Sequence, residues 1–142
     1  SDPRFLVAVL CEYYMVSQTY TWLNWYGGDA PASTWAQHWT DAASYNVGTP
    51  ADSTYSTWAT GSDPEDASYT YRVLRRQFTL ATILYKPLSR TSGGAEGTTN
   101  NATSTTHDLG GNYQLVQSDG TLGATVTSVA LRNAEGAILV AS

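Results

Sequence analysis

The sequence predicts an α+β protein, in which an N-terminal helix–strand–helix segment packs on an antiparallel β-sandwich. In the first 17 residues, apolar side chains recur at helical spacing. From about residue 69 onward, the apolar runs are short, rich in β-branched and aromatic residues, and separated by turn residues. Because the pattern changes near residue 50, we divide the chain into a segment 1–50 and a β-module 51–142.

The N-terminal segment contains three predicted elements. Pro3–Ser17 is predicted to be a helix, since its apolar residues form one wide face and Asp2 can cap its first turn. Tyr20–Tyr26 alternates and is dense in aromatic residues, which is typical of a strand. After a Gly-Gly-Asp turn, Ala32–Ala43 is predicted to be a second helix.

The β-module is organised around Tyr71–Leu88, which predicts a pair of strands. Ala81–Tyr85 is apolar on both faces, so we expect a strand that is covered on both sides and ended by Lys86-Pro87. Tyr71–Phe78 carries three arginines, and we expect one face of that strand to meet water. Ser89–Thr106 is polar and predicts a long loop. The other predicted strands are Tyr55–Ala59, Asn112–Gln117, Thr125–Arg132 and Ala137–Ala141, with turns at Ser118–Thr121 and Ala134–Gly136.

Composition excludes several classes of function. A net charge of −5 without a basic stripe argues against nucleic-acid binding. The longest apolar run, Phe5–Cys11, is too short to span a bilayer, so no membrane partner is expected. Cys11 is the only cysteine and predicts a buried small apolar residue, while no Cys/His cluster indicates a metal site or another cofactor.

Composition also indicates a location. Charged residues make up only 13% of the chain, whereas Trp and Tyr are abundant. This profile is typical of extracellular and carbohydrate-handling β proteins, so we expect a secreted protein. The chain starts at Ser1 rather than Met, and we expect either a removed leader or a longer parent chain.

The later half resembles the small C-terminal β-sandwich that follows the catalytic barrel in many glycoside hydrolases. The matching segments are Arg75–Phe78, Thr82–Pro87 (TILYKP), Leu109–Tyr113 (LGGNY), Asp119–Gly123, Val126–Leu131 and Gly136–Val140 (GAILV). The N-terminal third looks like the end of the (β/α)8 barrel of the same proteins. In that comparison Pro3–Ser17 would be the seventh helix, Tyr20–Tyr26 the eighth strand and Pro31–Ala43 the eighth helix.

A complete barrel needs eight βα units and about 250 residues. Only the last unit and a half fits into this chain, and the acid and nucleophile of such enzymes normally lie on earlier strands. The resemblance therefore implies a truncated or remodelled relative.

The aromatic strand supplies the predicted sugar contacts. Residues at the C-terminal end of a barrel strand face the active site, where an aromatic face stacks on a sugar ring and a carboxylate accepts hydrogen bonds from hydroxyl groups. The candidates are Trp22, Asn24, Trp25, Tyr26 and Asp29. The alternative is that the aromatic residues pack in the core and that Asp29 caps the following helix.

Glycoside hydrolysis uses two carboxyl groups about 5 Å or about 6.5–9.5 Å apart. Glu12 lies on a largely apolar helix, where burial would raise its pKa as a general acid requires; the alternative is a solvated helix edge or a partner arginine. We predict Glu12 and Asp29 as the catalytic pair if the protein is an enzyme.

Three functions follow. The first is a carbohydrate-active protein of glycoside-hydrolase descent that hydrolyses or contacts a polysaccharide or oligosaccharide. The second is a non-catalytic carbohydrate-binding or accessory module. The third is a self-assembling structural protein, whose exposed strand edge would pair with another copy. All three predict a homo-oligomer.

Overall fold

A computed structural model describes residues 3–18, 40–97 and 101–142. These ranges contain one α-helix, one 3₁₀ turn and six strands. The elements are α1 (Pro3–Val16), the 3₁₀ turn (Asp41–Ser44), β1 (Ser56–Ser62), β2 (Thr70–Gln77), β3 (Thr82–Lys86), β4 (Thr105–Val116), β5 (Leu122–Leu131) and β6 (Glu135–Ala141).

The strands form a single antiparallel sheet in the order β1-β2-β3-β6-β4-β5. The sheet is curled into a half-barrel. The curl brings the ring centroids of Trp58 on β1 and His107 on β4 to 5.8 Å, although three strands separate β1 from β4 in the sheet. The α+β class is confirmed. The predicted sandwich is not, since one curled sheet takes the place of two facing sheets.

Helix α1 covers the convex face of the central strands. Leu10, Cys11 and Met15 are buried against a sheet surface that includes Ile83 and Ile138. Cys11 is fully buried, as predicted, and its burial raises the pKa of the thiol. The concave face is a second apolar core, formed by Val73, Leu84, Val129, Leu131, Ala137 and Leu139.

Arg76 joins the helix to the sheet. The side chain is fully buried and the other arginines of β2, Arg72 and Arg75, are half-buried, so neither face of the strand is as open to water as expected. Arg76 Nη1 donates to the carbonyl oxygens of Tyr14 (2.9 Å), Met15 (3.2 Å) and Ser17 (2.6 Å). These groups belong to the C-terminal end of α1, where unpaired carbonyls and the helix dipole favour a cation. The carbonyl groups at the end of the helix therefore take the place of water as acceptors for the buried guanidinium.

The predicted elements and the observed ones differ mainly in length. The helix begins at Pro3 and ends one residue early, and β2 and β3 form the predicted pair. β4 begins at Thr105, seven residues before the predicted start at Asn112, and its first two residues lie in the predicted loop Ser89–Thr106. Thr40 is extended and caps the 3₁₀ turn, so the end of the predicted helix Ala32–Ala43 is not α-helical.

The rest of that helix and the predicted strand Tyr20–Tyr26 lie outside the described residues. The division of the chain at residue 50 also stays a prediction.

Candidate functional site

The residues that the sequence predicts as a site are mostly outside the described ranges. Trp22, Asn24, Trp25, Tyr26 and Asp29 belong to this group, and their roles stay predictions. Glu12 is described and is exposed on α1. Glu12 therefore lies on the solvated edge of the helix, which was the alternative to a buried general acid.

Most other described carboxylates accept hydrogen bonds from nearby donors. Asp63 is the most buried of them, at 3% exposure. The carboxylates that bond to backbone or side-chain donors, besides Asp63, are Asp52, Glu65, Asp66, Glu96, Asp108, Asp119 and Glu135. In Asp66 and Asp119, hydrogen bonds from Ser68 and Thr121 lower the pKa of the carboxyl group. A general acid needs the opposite shift.

Asp63 belongs to a buried polar cluster that joins three loops. It follows β1, Ser89 follows β3, and Asn133 lies in the turn between β5 and β6. Asn133 Nδ2 donates to Asp63 Oδ2 (2.7 Å) and to Ser89 Oγ (2.8 Å), and the Ser89 hydroxyl donates to the same carboxylate. Burial would raise the pKa of Asp63, but these hydrogen bonds and those from backbone amides outweigh it, so the pKa is lowered. The cluster holds the β5–β6 turn in place.

A second buried cluster lies on the concave face, where Lys86, Thr105 and His107 form a chain. Lys86 Nζ donates to Thr105 Oγ1 (2.7 Å) and to the carbonyl oxygen of Leu131 (3.1 Å). The Thr105 hydroxyl and His107 Nε2 share a hydrogen bond at 2.8 Å, and the tautomer of the imidazole sets which of the two groups donates. The ammonium also lies 4.6 Å from the centre of the Tyr71 ring.

The surroundings of this chain shift the pKa of both basic groups downward. Burial lowers the pKa of Lys86, while the negative charges of Asp63, Glu135 and Glu65 oppose that shift. Burial and the positive charge of Lys86 both lower the pKa of His107. Lysine and histidine in such states can act as nucleophile and base, but Lys86 is 0% exposed and His107 8% exposed. The cluster is closed to a substrate, and it ties β3 to β4 and β5.

The open surface of interest is a cleft between the start of α1 and the β5–β6 turn, which we call the arginine cleft. It encloses about 410 Å³, within the range of roughly 300–1,000 Å³ for ligand sites. Its lining residues are Arg4, Phe5, Asn101, Ala102, Arg132, Asn133, Ala134 and Glu135. A second cavity of about 220 Å³ adjoins it and shares Arg4 and Glu135.

Three side chains give the arginine cleft its chemistry. Phe5 is 59% exposed, so an aromatic face is offered to solvent. Arg132 is half-buried, and within the described ranges its guanidinium makes neither a salt bridge nor a side-chain hydrogen bond. Arg4 Nη1 lies 3.7 Å from Glu135 Oε1, a contact that separates the two cavities. An aromatic face beside guanidinium groups can stack on a ring and bind oxygen acceptors.

The β5–β6 turn that forms one wall is rigidly held. The Arg132 amide donates to Glu135 Oε2 at 2.9 Å, and the Ala134 amide donates to the carbonyl oxygen of Lys86 at 2.7 Å. Ala134 has φ of 60°, in the left-handed region that a residue with a Cβ rarely adopts. Asn133 adds the buried bonds described above. The wall therefore holds the backbone of Arg132 in a fixed place.

Sequence reasoning missed the arginine cleft. Arg4 and Arg132 are 128 residues apart (132 − 4), and no local motif connects them. The available signal was the turn at Ala134–Gly136, which brings the preceding arginine to the end of a hairpin.

Comparison with known proteins gives no match to a family model, to a curated protein or to a solved structure. The resemblance to glycoside hydrolases therefore stays a prediction. Within the described ranges, no helix has the length and apolarity needed to cross a membrane. The same ranges contain no group of three His, Cys, Asp or Glu side chains that could hold a metal ion.

Proposed function

We propose that this chain is a carbohydrate-contacting accessory module of glycoside-hydrolase descent, which binds a polysaccharide or oligosaccharide without hydrolysing it. The TILYKP, LGGNY and GAILV segments, which carry the resemblance, lie on or at the ends of strands β3, β4 and β6.

The observation that carries this proposal is the state of the carboxylates. The described carboxylates accept hydrogen bonds from backbone or side-chain donors or, like Glu12, lie exposed on the surface. Where a shift of a carboxyl pKa is resolved, at Asp63, Asp66 and Asp119, the pKa is lowered. A carboxyl group that stays ionised cannot donate the proton that the leaving group of a glycoside requires. Binding needs no such group.

Two sets of residues would contact the sugar. The arginine cleft supplies Phe5 for stacking and Arg132 for hydrogen bonds to oxygen acceptors. Trp22, Asn24, Trp25 and Tyr26 are the contacts predicted from sequence. Self-association through the strand Tyr20–Tyr26 remains a prediction that this function does not require.

The test measures retention and cleavage on the same samples. Native gels containing neutral or acidic polysaccharides report retention, and reducing-sugar release reports hydrolysis. We expect retention on at least one polysaccharide, loss of retention in Phe5→Ala or Trp25→Ala, and no sugar release. The matched control is Tyr55→Ala, which removes an aromatic residue 43% exposed on a different part of the surface.

Sugar release that Glu12→Gln or Asp29→Asn abolishes, with folding intact, would overturn the non-catalytic proposal in favour of the hydrolase. Absence of retention on every polysaccharide would overturn the carbohydrate function itself.

A further inference from the structure

The charge of the arginine cleft differs from that of the whole protein. The chain carries a net charge of −5. The charged residues that line the cleft are Arg4, Arg132 and Glu135, which sum to +1. A local positive charge on an acidic protein attracts an anionic ligand to that place while the remaining surface repels it.

Arg132 determines what kind of anion fits. Arg132 is half-buried on the cleft wall, and its guanidinium has no side-chain partner within the described ranges. Such a guanidinium offers a planar fork of donors, which matches the two oxygens of a carboxylate. Glu135 does not fill this role, because its Oε2 accepts from the Arg132 backbone amide and its Oε1 faces Arg4.

Phe5 and Asn101 indicate a ligand that is larger than a simple anion and that carries a ring and hydroxyl groups. Phe5 is 59% exposed, and its ring can stack on the apolar face of a sugar. Asn101 is exposed on the same cleft and carries both a donor and an acceptor for hydroxyl groups. A volume of about 410 Å³ holds far more than an inorganic ion.

From this arrangement we infer that the arginine cleft binds a uronate, a sugar ring bearing a carboxylate, within an acidic polysaccharide. Arg132 binds the carboxylate, Phe5 stacks on the ring, and Arg4 adds positive charge at the border with the second cavity. This inference rests on the proposed carbohydrate function and names its substrate class.

The experiment compares two forms of one polymer. Polygalacturonate carries free carboxylates, whereas its fully methyl-esterified form has the same backbone without their charge. Affinity gel electrophoresis is run on both with wild type, Arg132→Ala, Arg132→Lys and the control Arg72→Ala. Arg72 is a half-buried arginine of β2 that lines neither cavity, so its loss changes the net charge by the same amount.

We expect wild type to bind polygalacturonate at least tenfold more tightly than the ester. Arg132→Ala should lose about tenfold or more of that affinity, as expected for hydrogen bonds to a charged group. Arg132→Lys should recover only part of it, since a lysine cannot form the bidentate pair. Arg72→Ala should bind as wild type does, and circular dichroism checks that each variant is folded.

Equal binding of the acid and its ester would overturn the uronate inference while the carbohydrate function stands. Equal losses in Arg132→Ala and Arg72→Ala would also overturn it, because net charge rather than the cleft would then control binding. Tighter binding of dextran sulfate than of polygalacturonate would show that the cleft selects sulfate and not carboxylate. Failure to bind any polysaccharide, neutral or acidic, would overturn the proposed function as well.

Discussion

At Gly136, α1 lies directly against the sheet. A Cβ added there would lie 2.5 Å from Cys11 Cβ, 2.7 Å from Cys11 Sγ and 3.0 Å from the carbonyl oxygen of Leu84. Carbon atoms pack at about 3.5–4.0 Å. Gly136→Ala therefore forces α1 and β6 apart by about 1 Å, the difference between 3.5 and 2.5 Å.

The cost follows from what α1 buries. Leu10, Cys11 and Met15 all pack on this face of the sheet. A gap of 0.5–1 Å forfeits a quarter to a half of each dispersion contact, and overpacking a core costs about 1–3 kcal/mol. The alanine also reduces the entropy of the unfolded chain, which returns about 0.4–1 kcal/mol. We expect a net loss of up to about 2.6 kcal/mol, which lowers Tm by up to roughly 9 °C for a chain of this size.

The assay is urea unfolding followed by circular dichroism, with Gly93→Ala as the matched control. A Cβ at Gly93 meets only Thr91 Oγ1, at 3.9 Å, so that substitution should change the free energy of unfolding by less than about 1 kcal/mol. A double-mutant cycle with Cys11→Gly isolates the clash, since Cys11→Gly removes both sulfur and Cβ.

In that cycle, Gly136→Ala should cost clearly less in the Cys11→Gly background, with a coupling of about 1 kcal/mol or more. If Gly136→Ala unfolds at the same urea concentration as Gly93→Ala, α1 does not lie against β6 at this residue. The account of the convex core would then be wrong.

Three further predictions concern buried or strained positions. Ala134→Gly should raise the free energy of unfolding by up to about 1 kcal/mol, because glycine adopts φ of 60° without strain, whereas Ala134→Val should lower it. A higher denaturant midpoint for the valine variant than for the glycine variant would contradict the turn geometry. The pKa of His107 is lowered from 6.5 in the folded protein, so between the folded-state pKa and 6.5 the unfolded chain binds more protons and the free energy of unfolding should rise with pH. His107→Gln should remove this pH dependence, and an unchanged dependence would show that His107 is not its source. Arg76→Met leaves buried carbonyls at the end of α1 without their donor, so it should lower the free energy of unfolding in urea by about 3 kcal/mol or more. The control Arg72→Met should lower it by less than about 1 kcal/mol, and equal losses would show that Arg76 does not cap the helix.

Elements whose signal is local were predictable from the sequence. Helical spacing predicted α1, and the apolar run Ala81–Tyr85 predicted a strand covered on both faces. The Asp119-Gly120 turn gave the hairpin between β4 and β5, where Gly120 has φ of 80°. In each case, neighbouring residues carry the information.

Features that depend on distant partners could not be predicted. The predicted loop Ser89–Thr106 includes Thr105 and Thr106, but these two residues pair with β5, and His107 beside them is buried against the rings of Trp58 and Tyr71. Lys86 ends β3, as predicted, but its neighbours in sequence do not show that Thr105 and the Leu131 carbonyl bind its ammonium inside the half-barrel.

The candidate site was harder still. The arginine cleft joins the start of α1 to the end of β5, and its character depends on charges brought together by folding. The sequence pointed instead to aromatic residues of the strand Tyr20–Tyr26, which lie outside the described residues. Glu12 was chosen because its neighbours are apolar, but it lies on the exposed side of the helix.

The central claim is that the arginine cleft binds an acidic saccharide and leaves it intact. An NMR titration of the ¹⁵N-labelled protein with trigalacturonate tests both parts at once, because the protein signals report the site and the anomeric sugar signals report cleavage. The account predicts shifts concentrated at Phe5, Asn101 and Arg132, with the sugar unchanged after prolonged incubation. Shifts confined to other surfaces, or new reducing-end signals from the sugar, would contradict it.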